Sequence, residues 1–118
     1  MQVLIVDDNR DITGLLSRFL KAKGIENVVT NNPFDGLERI KEEEYDVVLL
    51  DISMPEFSGI EIIQTLEREK ILKDQKIVIF SATAFTTNQI SDLLKKEGIH
   101  GCLKKPIQLD ELLTVITS

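Results

Sequence analysis

Cysteine is almost absent from this chain: Cys102 is the only one in 118 residues. No internal disulfide can staple the fold, no Cys/His cluster is there to hold zinc, and a reducing, cytoplasmic setting is expected. Long apolar runs are missing as well. "VVLL" and "IVIF" are far too short to cross a bilayer. The opening "MQVLIV" has neither the basic start nor the small-residue cleavage site of an export signal, so no membrane role is expected. Positive charge is in deficit: 14 Lys and Arg stand against 20 Asp and Glu, a net charge of −6. That balance argues against direct nucleic-acid binding by phosphate contacts and against an anionic membrane surface. No G-x-G-x-x-G or Walker loop offers a nucleotide site. Repeats, low-complexity segments and linkers are not apparent.

What is present is an ordinary globular balance, 42% hydrophobic and 29% charged, in a length that suits one domain spanning residues 1–118. Apolar runs alternate with helical periodicity from end to end. Strands are expected at 2–6, 26–30, 46–50, 76–80 and 101–103. The run "DVVLL" reads as the central and most continuous one, and the first strand, "QVLIV", is apolar almost throughout, as in a parallel strand covered on both faces. Helices are expected at 9–23 (Ile12, Leu15, Leu16, Phe19 and Leu20 at helical spacing), from Asn32-Pro33 to about 43, at 59–69, from Thr87 or Asn88 to Glu97, and at 108–117. Five β/α units in series imply an α/β fold. Its parallel sheet is doubly wound with right-handed crossovers, and five strands of this kind commonly take the flavodoxin-like order 2-1-3-4-5, an order borrowed from known folds rather than read from these residues.

In that order the first and third strands are neighbours, about 4.8 Å apart. The first ends in Asp7 and Asp8 ("VLIVDDNRD") and the third in Asp51 ("YDVVLLDISMPE"). Two unit charges about 4 Å apart repel by roughly 4 kcal/mol at an effective dielectric near 20. A fold selected only for stability would not crowd three acids this way. Either some are protonated or a hard cation, Mg²⁺ or Mn²⁺, sits among them. An acid after a strand otherwise serves as a helix cap, a role open to Asp8 or Asn9. Ser81 ends the fourth strand and Lys105, before Pro106, follows the fifth. A hydroxyl and an ammonium at the same edge can grip phosphoryl oxygens. A carboxylate can attack phosphorus, and phosphoryl transfer asks for positioning and charge neutralisation. Asp51, at the centre of the sheet, is the expected nucleophile. Asp7, Asp8 and Asp51, with the backbone carbonyl of Ser53, are the expected metal ligands.

With these residues in view, the chain resembles the receiver domain of two-component response regulators. The resemblance covers the whole chain and rests on "VDDN", "LLDISMPEFSG", "FSA" and "LKKP". It implies transfer from the phosphohistidine of a histidine kinase or phosphotransfer protein to Asp51 with Mg²⁺. It also implies a cis Lys105-Pro106 peptide bond, a movement of Ser81 toward the phosphoryl group, and an altered surface on the fourth helix, fifth strand and fifth helix for a downstream target.

Two positions depart from the family pattern. Cys102 stands on the fifth strand where relatives usually carry Tyr or Phe, so a rotating aromatic cannot couple to Ser81; the thiol is expected to pack rather than react. Ser58 replaces an acid often found before the glycine of the third loop. Ser53 and Thr83 flank the site. Phe85 is either a core lid or a docking residue, and His100 a strand-edge or solvent residue. Three alternatives stand beside the receiver reading. A metal-dependent phosphatase or phosphotransferase would want a second acid where Ser53 sits. A docking module that never takes phosphate, and a flavin-binding protein whose phosphate the acids would repel, complete the set. On the receiver reading the chain is not an enzyme for external substrates.

Overall fold

The structure is a computed structural model. It describes residues 1–81 and 87–118, with the side chains of Ser81 and Thr87 outside the description. The expectations for Thr83 and Phe85 and for the Ser81 hydroxyl lie outside the described residues.

Five strands, β1 (Gln2–Val6), β2 (Glu26–Thr30), β3 (Val47–Asp51), β4 (Ile77–Ser81) and β5 (Ile99–Lys104), alternate with α1 (Arg10–Ala22), α2 (Pro33–Glu42), α3 (Gly59–Arg68), α4 (Thr87–Leu94) and α5 (Leu109–Ile116). They form one sheet in the order β2-β1-β3-β4-β5. Every pairing is parallel.

Side chains alternate across a strand, so each strand divides between two cores. Val3, Ile5, Val47, Leu49, Val78, Phe80 and Leu103 pack against Leu16 and Leu20 of α1 and Leu112 and Ile116 of α5. Leu4, Val6, Val48, Leu50, Ile77 and Ile79 face Ile40 of α2, Ile62, Ile63 and Leu66 of α3, and Leu93 of α4. Burial on both faces is why β1 and β3 read as unbroken apolar runs.

Some expectations shift. β5 runs from residue 99, not 101. It is an edge strand with Ile99 buried and His100 exposed, so only its half-buried alternation can be read from the residues. Its register slips between Ile77 and Val78, making His100 the extra residue opposite β4. α4 stops at Leu94, well short of Glu97, and a 3₁₀ turn at Leu72–Asp74 has no counterpart among the expected elements; three residues carry no period. Leu15 and Leu94, counted on apolar helix faces, are 47% and 42% exposed.

Candidate phosphoryl-transfer site

The register explains how the site assembles. The last β1–β3 pair is Val6 with Leu50, so Asp7 and Asp51 come one step further along neighbouring strands. Asp7 shares the parity of Val3 and Ile5, Asp51 that of Val47 and Leu49, and Lys105 that of Leu103. All these apolar residues belong to the α1/α5 core. The three polar side chains therefore emerge together on one side, just past the packed layer. The slip in β5 contributes: with His100 as the extra residue, Ser81 pairs with Lys104 and Lys105 follows at the carboxyl edge.

The carboxylates of Asp7, Asp8 and Asp51 each present an oxygen, and these oxygens lie within 4.8 Å of one another. Asp7 and Asp51 are buried, at 0% and 2% exposure, while Asp8 is exposed. Lys105 Nζ stands 3.2 Å from Asp7 Oδ2 and 3.4 Å from Asp51 Oδ2. The remaining oxygens are engaged by backbone. Asn9 N–H donates to Asp7 Oδ1 at 2.9 Å and Ser53 N–H to Asp51 Oδ1 at 3.0 Å. The Lys105-Pro106 peptide bond is cis.

One ammonium cannot balance three carboxylates, and Asp7 is fully buried among them. Burial, with a further push from Asp51, raises its pKa to about 6, against the opposing pull of the Asn9 N–H and of Lys105. An all-oxygen donor set with excess negative charge, open to solvent on the Asp8 side, fits a hard divalent ion.

The helix-cap alternative is settled by Asn9. Its Oδ1 accepts from the N–H groups of Asp11 and Ile12 at 3.0 and 3.1 Å, which leaves the Asp8 carboxylate out of the cap. Asn32 caps α2 in the same way, with Pro33 in the first turn. Ser58 caps α3 in a reciprocal box with Glu61; the spacing Ser58-x-x-Glu61 is a visible signal for it. Cys102 is half-buried and packs against the α2–α4 core. His100 is exposed, its Nε2 2.8 Å from Ser118 Oγ.

Asn31 is the residue that sequence reasoning missed. The expected site takes nothing from the end of β2, yet Asn31 Nδ2 donates to the carbonyl of Asp7 at 2.8 Å and to Thr13 Oγ1 at 2.9 Å. Two asparagines in succession are the available signal: Asn32 suffices as the cap, which leaves Asn31 free for other work.

Comparison with known proteins bears on the fold and the family. The response regulator receiver domain, as a sequence family, matches residues 3–117. The polar-differentiation response regulator DivK of Brucella anthropi is 29% identical over 116 residues, which cover 98% of this chain and 93% of that protein. Among solved structures, the receiver domain of the Francisella response regulator 1452 is 30% identical with a TM-score of 0.85, over 98% of this chain and 93% of that one. A response regulator receiver protein from Pseudomonas putida shares the fold at 24% identity, with a TM-score of 0.87 over 98% and 94% of the two chains. With the family matched along nearly its whole length, the chain belongs to the receiver domains of two-component response regulators.

Proposed function

We propose that residues 1–118 act as one phospho-accepting switch whose acceptor is Asp51. The observation that carries this reading is the meeting of the Asp7, Asp8 and Asp51 oxygens within 4.8 Å of one another, with Lys105 Nζ beside two of them. An Asp51 carboxylate oxygen attacks the phosphorus of a phosphohistidine on a histidine kinase or phosphotransfer protein. The O–P bond forms as the N–P bond breaks, and the leaving imidazole takes up a proton. Lys105, held between Asp7 and Asp51, is placed to neutralise a phosphoryl oxygen. The Ser53 N–H holds Asp51 Oδ1, which restrains rotation of the carboxylate and keeps Oδ2 on the Lys105 side. Asp7, Asp8 and Asp51, with the Ser53 carbonyl, would hold Mg²⁺ or Mn²⁺, which supplies further charge neutralisation for phosphoryl transfer.

In this reading Ser81 contacts the phosphoryl group and the α4–β5–α5 face carries the signal to a downstream target. Cys102, packed in the core where relatives usually carry an aromatic, requires a readout other than a rotating ring. Ser53 in place of an acid two residues past Asp51 leaves no neighbouring general acid for external substrates, so self-phosphorylation is favoured over a phosphatase acting on other molecules. Direct nucleic-acid contact is disfavoured by the net charge of −6. No helix among the described residues is long and apolar enough to cross a membrane, and the reading places the domain in the cytoplasm.

The test is the intact mass after incubation with Mg²⁺ and acetyl phosphate. One added phosphate is expected, lost in Asp51→Asn. Retention of the adduct in Asp51→Asn would reassign the acceptor. Steady consumption of the donor without an adduct would favour the external phosphatase. Absence of both an adduct and beryllofluoride binding would favour the docking module.

A further inference from the structure

We infer that Asn31, braced by Thr13, is a positioning residue that sets the divalent-cation affinity of the Asp7–Asp8 tip. The inference rests on the reading of the three carboxylates as a cation site. Asp7 and Asp8 lie beyond the last residue of β1, where the sheet stops supplying partners. The Asp7 N–H still reaches the carbonyl of Thr30 at 3.3 Å, but β2 ends there. The next acceptor, the Asp7 carbonyl, takes its hydrogen bond from the Asn31 side chain at 2.8 Å.

The second Asn31 N–H goes to Thr13 Oγ1 at 2.9 Å, and the Thr13 hydroxyl donates to the carbonyl of Arg10 at 3.2 Å. Thr13 is 2% exposed. The amide orientation follows from these partners. A carbonyl and a hydroxyl already committed as a donor both need a donor opposite them, and only the NH₂ end of Asn31 can serve both.

The result is a three-element tie. The loop after β2 grips the peptide unit between Asp7 and Asp8, and the grip is anchored to the first turns of α1. That peptide unit sets the direction in which both carboxylates leave the backbone. The Asp7 carboxylate is held separately, by Asn9 N–H and Lys105, whereas the Asp8 side chain is exposed. The Asn31 bond therefore restrains the peptide unit before Asp8, as the Asn9 N–H bond to Asp7 Oδ1 restrains the one after it, and together they relate the Asp8 direction to Asp7 and Asp51. Groups that orient metal ligands without touching the metal typically contribute 10–100-fold to affinity.

The test is calorimetric titration of Mg²⁺ into the parent protein, Asn31→Ala, Thr13→Val and the double variant, beside denaturant unfolding of each in EDTA. Asn31→Ala is expected to weaken Mg²⁺ binding by about tenfold. Thr13→Val, close in shape but without the hydroxyl, should weaken it less, and the double variant no more than Asn31→Ala alone. A purely structural role would lower the unfolding midpoint and leave the affinity of the folded protein unchanged, and that outcome overturns the inference. Should Asn31→Ala not fold, Thr13→Val decides on the same criterion, and failure of both to fold also overturns it. Absence of Mg²⁺ binding by the parent is a different result: it removes the cation-site reading itself, and this inference with it.

Discussion

Asp7 is a carboxylate held with 0% exposure between a neighbouring acid and a lysine, and its titration can be predicted with its sign. Its folded pKa is about 6 against an ordinary value of 3.8. Between those two values the folded protein binds more protons than the unfolded chain, so stability falls as pH rises from about 4 to about 6. The stabilisation is fully present below the lower value and lost above the upper one. With no cation bound, the loss is about 3 kcal/mol, because each tenfold gain in proton affinity on folding is worth about 1.4 kcal/mol. Urea unfolding in EDTA across that window is expected to show the fall, and Asp7→Asn, which keeps the shape without the charge, should flatten it. Lys105→Met tests the other side of the contact. It leaves two buried carboxylates without their ammonium and is expected to cost about 2–3 kcal/mol at pH 7 in EDTA. At pH 5, where Asp7 is protonated, the cost should shrink. A pH-independent penalty would show that Lys105 acts through packing of its stem rather than its charge.

Between residue and molecule stand the elements, and here α3 approaches β3 closely beside Asp51, the proposed acceptor. A Cβ placed on Gly59 would lie 2.5 Å from the Asp51 carbonyl oxygen and 2.7 Å from Ile52 Cα. Both are backbone atoms that cannot swing aside. Gly59→Ala is expected to push the start of α3 from the end of β3 at a cost of about 1–3 kcal/mol, read by denaturant unfolding, and to slow Asp51 phosphorylation by acetyl phosphate. Full stability in that variant would show that the helix start yields freely. Elements of this kind differ in how far the sequence reveals them. β1 and β3 declare themselves because both faces are buried, and α2 because Asn32-Pro33 marks its start. β5 is longer than its apolar core, since an edge strand with a bulge at His100 breaks the alternation. Leu15 keeps the helical period yet points to solvent, because periodicity reports a stripe without its width. The site divides similarly. Asp7, Asp51 and Lys105 are legible as polar residues one step past buried runs of matching parity. Asn31 is not, because an asparagine after a strand reads equally as a turn residue, and its bond to the Asp7 carbonyl depends on where β2 stops.

At the scale of the whole molecule, charge is the common thread. The chain carries a net −6, and the described salt bridges away from the site are exposed pairs such as Arg39–Asp35 and Lys41–Glu69, worth little each. Asp7 and Asp51 at the sheet edge are different, because burial limits solvent screening of their charges, and a bound ion would relieve the repulsion there only in the folded state. Ligand that binds only the folded chain stabilises it by RT ln(1 + [L]/Kd), about 1.4 kcal/mol at ten times Kd. Mg²⁺ at ten times Kd is therefore expected to raise the unfolding free energy of the parent protein at pH 7 by about 1.4 kcal/mol, seen as a higher urea midpoint with no change in the slope of the transition. Asp8→Asn separates this linkage from a general salt effect. Asp8 is exposed and outside the α1 cap, so its replacement should leave stability in EDTA within about 0.5 kcal/mol of the parent. The same replacement removes one charge from the proposed cation site, so most of the Mg²⁺-dependent gain should vanish. An equal gain in both proteins would assign the stabilisation to screening of the whole acidic surface rather than to an ion at the tips of β1 and β3.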